Sequence, residues 1–94
     1  MIIVSGTLKL RPGKRDAFLA ASFEAMKAAR AAAGCRAFVV SADPIEVDIV
    51  NVHEEWDSEE ALLRFRGEGP PADLRGMIAG ANVQRHYVAK SGPA

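Results

Sequence analysis

The segment 47–56, VDIVNVHEEW, alternates with a period of two. Val50, Val52, Glu54 and Trp56 fall on one face; Ile49, Asn51, His53 and Glu55 fall on the other. Such alternation belongs to a strand with one face against a core. It also disposes of a tempting motif. His53-Glu54 is the first half of a His-Glu-x-x-His zinc signature, which needs two imidazoles one turn apart on a helix. Position 57 is Asp, and a strand sends His53 and Trp56 to opposite faces.

The rest of the chain supplies elements around this strand. Residues 2–10, IIVSGTLKL, alternate too, with Ile2, Val4, Gly6, Leu8 and Leu10 on the apolar side. RPGK at 11–14 is a turn. Residues 15–33 are dense in alanine and uninterrupted by Gly or Pro, which predicts a helix. Its expected stripe is Leu19, Phe23, Met26, Ala29 and Ala33, with Phe18 at the edge and Gly34 as the stop. CRAFVVSA at 35–42 reads as a second strand and Asp43-Pro44 as a turn. After Trp56, Asp57 fits an N-cap with Glu60 three residues on, opening a helix through Leu62, Leu63 and Phe65 that weakens at Gly67. GEGPP at 67–71 is a loop, 72–80 a short helix, and 81–90, ANVQRHYVAK, a last alternating strand.

The order is β-α-β-β-α-β with a short extra helix. It predicts an α+β, ferredoxin-like domain over 1–90, a four-stranded antiparallel sheet with its helices on one face, and a frayed tail at 91–94. Ninety-four residues allow one modest core. Twelve basic and twelve acidic residues cancel, which gives no electrostatic case for nucleic acid or an anionic membrane. There is no run of 18 apolar residues and no targeting pattern, so a cytoplasmic protein is expected. Two histidines and one cysteine, without ligand spacing, predict no metal and no cofactor. Cys35 reads as a packed small residue rather than a nucleophile. Lys9, Arg11, Lys14 and Arg15 read as a solvated turn rather than an anion site.

Several stretches together resemble a known family. RPGKRDAFL after the first strand, Gly-Cys at the second, and VHEEWDSEEALLRF around the third resemble the antibiotic biosynthesis monooxygenase (ABM) domain, over about residues 1–89. The resemblance implies a dimeric α/β-barrel, in which two sheets pack across a homodimer and each protomer keeps a pocket between sheet and helices. It also implies a mixed repertoire. Some members oxidise phenolic or quinol-like aromatics with O2 and no metal or flavin, others degrade haem, and others have no known substrate. The haem-degrading branch uses a first-strand asparagine, the strand-end tryptophan and a histidine on the next helix. Trp56 matches, but the other positions fall near Gly6 and Arg66.

Glu54 is the most informative candidate. A carboxylate beside Val50, Val52 and Trp56 on an apolar face is placed to act as a general base. The structural alternative is an ion pair with an arginine such as Arg64 or Arg85. His53 is a second candidate base, and His86 stands on the last strand. Trp56, Phe65, Asn51 and Arg85 are candidate substrate-binding residues, although Trp56 reads first as the seal of the sheet–helix junction. Whether the chain turns anything over is open at this level. A cofactor-independent monooxygenase acting on a small aromatic stands beside a non-catalytic dimeric barrel that binds an unknown ligand, and beside detoxification of quinones or aldehydes.

Overall fold

The computed structural model describes residues 1–67 and 69–94. In chain order it contains β1 (Ile2–Leu10), α1 (Arg15–Ala31), β2 (Cys35–Ala42), β3 (Ile49–Trp56), α2 (Glu59–Arg66), α3 (Ala72–Gly76) and β4 (Ile78–Tyr87). The strands form one antiparallel sheet in the order β2-β3-β1-β4. This is the expected ferredoxin-like α+β arrangement, with β1 and β3 at its centre.

Register decides what lies where. Val4 pairs with Glu54 on one side and Arg85 on the other, and Phe38 pairs with Glu54. Phe38, Glu54, Val4 and Arg85 therefore form one row across the helix-facing side of the sheet. The next row on that side is Val40, Val52, Gly6 and Val83. The opposite side carries Val39, His53, Ser5 and Gln84 in one row and Ser41, Asn51, Thr7 and Asn82 in another.

Buried side chains gather in two clusters. One holds Ile2, Val4, Trp56, Ala61 and Leu62, with Phe38 and Phe65 packed against it. The other holds Leu10, Phe18, Val50 and Leu74, with Leu8, Val40 and Ile78 at its margin. The first cluster seats α2 on the strand ends, and the second seats α1 and α3. Among the described residues no helix is long and apolar enough to cross a membrane.

Four local expectations change. The buried face of α1 is Phe18, Ser22 and Ala29, while Phe23 is exposed beneath the Lys27 ammonium. Ser22 tolerates burial because its hydroxyl donates to the Phe18 carbonyl at 2.7 Å. The helix ends at Ala31, two residues before the pattern suggests, and Gly34 turns the chain at φ 85°. A Cβ there would stand 2.6 Å from the Ala61 Cβ, so the close approach of the turn to α2 requires glycine. The N-cap of α2 is Ser58, not Asp57: the Ser58 hydroxyl accepts the Ala61 N–H at 3.1 Å, while Asp57 pairs with Arg36. Finally, β4 begins at Ile78, because a register shift at Lys9–Leu10 lets Leu10 pair with Ile78.

Candidate functional site

Between the inner face of the sheet and the helices lies a cavity of about 670 Å³. That volume falls within the roughly 300–1,000 Å³ typical of small-molecule sites. Both core clusters contribute to its walls: Val4, Phe38 and Phe65 from the first, and Phe18, Leu74 and Ile78 from the second. Most of the lining is hydrocarbon, and among the described residues the charged groups that reach it are Glu54, Arg66 and Arg85.

Glu54 is 6% exposed, one of two buried polar residues in the described chain. The strand period puts it two residues from Trp56 on the same face, and the Trp56 indole N–H donates to Glu54 Oε1 at 3.0 Å. Trp56 itself is fully buried. It is absent from the cavity wall and lies behind it, its ring 5.3 Å from that of Phe65. Phe65 does face the cavity and meets Phe38 edge-on at 5.9 Å. Glu54 Oε2 has a cation 3.9 Å away, the Arg66 guanidinium.

The partner of Glu54 is therefore neither arginine expected from the sequence. Arg64 pairs with Glu60 at 2.6 Å on the outer side of α2. Arg85 reaches the cavity but donates to Glu59 Oε2 at 2.8 Å. The Tyr87 hydroxyl donates to the same oxygen. Glu59 is held below its ordinary carboxylate range by the Tyr87 hydroxyl first and the Arg85 guanidinium second. This cluster ties the start of α2 to β4 at the edge of the sheet.

His53 and Asn51 stand on the other face of β3, away from the cavity. His53 pairs with Glu55 at 2.8 Å. Asn51 donates to Asp43 Oδ1 at 2.9 Å and braces the β2–β3 loop. His86 pairs across from Ile3 on that same outer face. The structure thus brings Glu54, Phe65 and Arg85 to one cavity, with Trp56 behind Glu54, and separates His53 and Asn51 from them.

Arg66 was not among the expected site residues. The only sequence signal for it was its place after Phe65 at the end of α2, where the haem-degrading pattern carries histidine. The asparagine of that pattern meets a harder obstacle. Gly6 has φ 153°, and a Cβ there would lie 2.0 Å from the Asn82 carbonyl oxygen. Among the described residues no group of three or more His, Cys, Asp or Glu side chains is arranged to hold a metal ion.

The remaining sequence candidates are structural. Burial pushes the Cys35 thiol above its ordinary 9.0, which leaves little thiolate. Arg11 donates to the Gly76 carbonyl at 3.0 Å, and Arg15 to the Asp43 and Glu46 carbonyls at 3.2 and 3.0 Å. Part of the basic turn at 9–15 is thus spent on bracing loops.

A ferredoxin-like α+β domain with a ligand-sized, mostly apolar cavity and a buried carboxylate on its wall defines a class of small cavity-bearing proteins. Over residues 1–70 the sequence matches the family model described as antibiotic biosynthesis monooxygenase, and the chain belongs to that family. Three solved structures named as candidate antibiotic biosynthesis monooxygenases resemble it along nearly its whole length. The protein from Chloroflexus aurantiacus is 25% identical, covers 98% of this chain and 96% of its own, and superposes with a TM-score of 0.76. That from Deinococcus radiodurans is 18% identical, covers 100% and 98%, and gives 0.85. That from Caulobacter crescentus is 24% identical, covers 95% and 90%, and gives 0.77. No curated protein matches the sequence.

Proposed function

We propose that the protein is a cofactor-independent monooxygenase that oxidises a hydroxylated aromatic with O2, with Glu54 as the general base. The observation that carries the reading is the setting of Glu54. Glu54 is 6% exposed on the wall of a mostly apolar cavity, with one carboxylate oxygen held by the Trp56 indole and the other 3.9 Å from the Arg66 guanidinium. Family membership adds the monooxygenase name of its relatives.

The chemistry asks little of the protein. Glu54 Oε2 takes a proton from the substrate, and the electron-rich anion passes one electron to O2. Recombination of the radical pair and loss of water convert an anthrone-type CH2 into a carbonyl: one oxygen atom stays on carbon and the other leaves in water with the two hydrogens. The apolar walls from Phe18, Phe38 and Phe65 bind the flat ring and keep water from the intermediate. Arg85 flanks the charged end, and Trp56 fixes the base rather than stacking on the ligand. His53 and Asn51 belong in this reading to the outer face of the sheet. There we propose that a second copy packs to form a homodimer, because the three helices of each protomer cover only the inner face.

Glu54→Gln keeps the shape and the acceptor for Trp56 while removing the base. With a dihydroxynaphthalene or an anthrone, oxygen uptake should fall about 10²-fold or more, the usual size of general-base loss. The melting temperature should change little. A second reading has its own observation: the Trp56 bond already gives Glu54 a bracing task. If Glu54 only braces, any oxygen uptake is unchanged in Glu54→Gln, which retains the acceptor, while Glu54→Ala, which deletes it, melts clearly lower. Wild-type protein that consumes no oxygen with any aromatic tested leaves a ligand-binding barrel.

A further inference from the structure

The charged end of the cavity holds a gap that base chemistry by Glu54 alone does not use. Glu54 Oε1 is occupied by the Trp56 indole, whereas Oε2 lies 3.9 Å from Arg66 Nη2. That span is too long for a hydrogen bond. A single oxygen atom placed about 2.8 Å from both would see them at an angle of roughly 90°, which suits a hydroxyl that donates to the carboxylate and accepts from the guanidinium. Both residues line the cavity. The Glu54 side chain is 9% exposed and that of Arg66 is 39% exposed, so the arginine stands at the mouth with the base inside it.

We propose that Arg66 is the charge partner of the ligand's ionising oxygen, and that the Glu54–Arg66 pair selects ligands bearing a neutral, ionisable hydroxyl at that end over ligands bearing a carboxylate. This rests on the reading that the cavity binds a hydroxylated aromatic, and adds which residue receives the charge. In the proton transfer the ligand O–H bond breaks, the proton bonds to Glu54 Oε2, and the electron pair stays on the ligand oxygen. Before the step the charges are −1 on Glu54, +1 on Arg66 and none on the ligand. Afterwards they are none, +1 and −1. Among the described residues the guanidinium faces one anion throughout, so the step separates no net charge. A carboxylate ligand would instead set two anions against one guanidinium. Arg85 is poorly placed to relieve that, because its charge is matched by Glu59 at 2.8 Å. A guanidinium offers only donors, which suits an anionic oxygen.

The test is anaerobic and needs no turnover. A nitronaphthol, coloured as its anion and not as its neutral form, is added to the protein at a pH where the free compound is mostly neutral. Bound to wild type, its ratio of anion to neutral form should rise about tenfold or more, the size expected of an opposite charge at this distance. Arg66→Met should abolish the rise while the nitronaphthol still binds, and Arg66→Lys should keep most of it. In competition on wild type at neutral pH, naphthoate should bind about tenfold or more weakly than naphthol. A bound ligand that stays neutral, an unchanged rise in Arg66→Met, naphthoate competing as well as naphthol, or no binding at all would each overturn the proposal. Failure of oxygen uptake in air would count against the oxygenase reading alone. An intact anion signal would then leave Arg66 in its place.

Discussion

Replacing Trp56 by Phe tests the link that organises the site. The indole is fully buried, and its N–H is held by Glu54 Oε1 at 3.0 Å. Phenylalanine keeps an aromatic ring but deletes that donor. Loss of a hydrogen bond to a buried charged group costs about 2 kcal/mol. The smaller ring also leaves a void of roughly three heavy atoms beside Leu62 and Phe65, worth about 1–2 kcal/mol. The total is about 3–4 kcal/mol, which in a domain of this length lowers the melting temperature by roughly 12–30 °C. Far-ultraviolet circular dichroism during urea unfolding is the suitable assay, because the variant lacks the single tryptophan. Glu54→Gln supplies the second arm of a double-mutant cycle. Glutamine is neutral, so its carbonyl loses less when the indole is gone. Trp56→Phe should therefore cost less on the Glu54→Gln background, with a coupling of about 1 kcal/mol or more. Additivity to within about 0.5 kcal/mol would refute the claim that the indole holds a desolvated carboxylate.

Further outcomes follow from other parts of the fold. Gly6→Ala should unfold the protein or destabilise it by roughly 4 kcal/mol or more in urea titrations, since its Cβ would collide with the Asn82 carbonyl in the pairing of central β1 with edge strand β4; a near-native variant would show the register to be wrong. The Asp43 carboxyl is held below its ordinary 3.8 by the Glu46 amide first, then the Asn51 side chain and the Ile45 amide. A folded value below the unfolded one means this support is present above about pH 4 and disappears as pH falls through the folded value, so Asp43→Asn should flatten the acid limb of a stability-versus-pH curve, and an unaltered limb would count against it. Light scattering at micromolar concentration should give twice the chain mass, and a clean monomer would remove the sheet-to-sheet homodimer.

The strands were legible because their signal is redundant. In β1 and β3 the residues of one face are apolar with Glu54 the one charged exception, and a shift of one residue would put a row of polar groups in the core. The order of elements then left few topologies. The face of α1 was not legible. With alanine at so many positions, Leu19–Phe23–Met26 and Phe18–Ser22–Ala29 are adjacent stripes of similar hydropathy, and only the sheet decides between them. Burial of Ser22 depends on a bond to its own helix, which no pattern of apolar residues reports. The cap of α2 failed by one residue for a related reason. Asp57 and Ser58 can both cap, and Arg36, distant in sequence, takes the aspartate. Arg66 was missed as the partner of Glu54 because three arginines were within plausible reach. What separates them is the commitment of Arg64 to Glu60 and of Arg85 to Glu59.

One strand thus carries two chemistries that differ only in parity. On the cavity side β3 presents Val52, Glu54 and Trp56; on the outer side it presents Asn51, His53 and Glu55. A slip of one residue would exchange them, putting His53 inside and leaving Glu54 in water. Continuous pairing protects the parity along the length that matters. β3 pairs with β1 without a break from Ile49 to Trp56, while the irregularity in β2 is confined to Cys35–Ala37 and that in β1–β4 to Lys9–Leu10. Both irregularities lie at strand ends, clear of the row Phe38, Glu54, Val4 and Arg85. The carboxylate owes its place to the sheet and not to a loop, so the geometry at the cavity wall should be as rigid as the core. Arg66, by contrast, stands on the last residue of α2, next to the Gly67 turn. In the proposed proton transfer the carboxylate stays where the sheet holds it, and the negative charge moves to a ligand oxygen that the same guanidinium can still face.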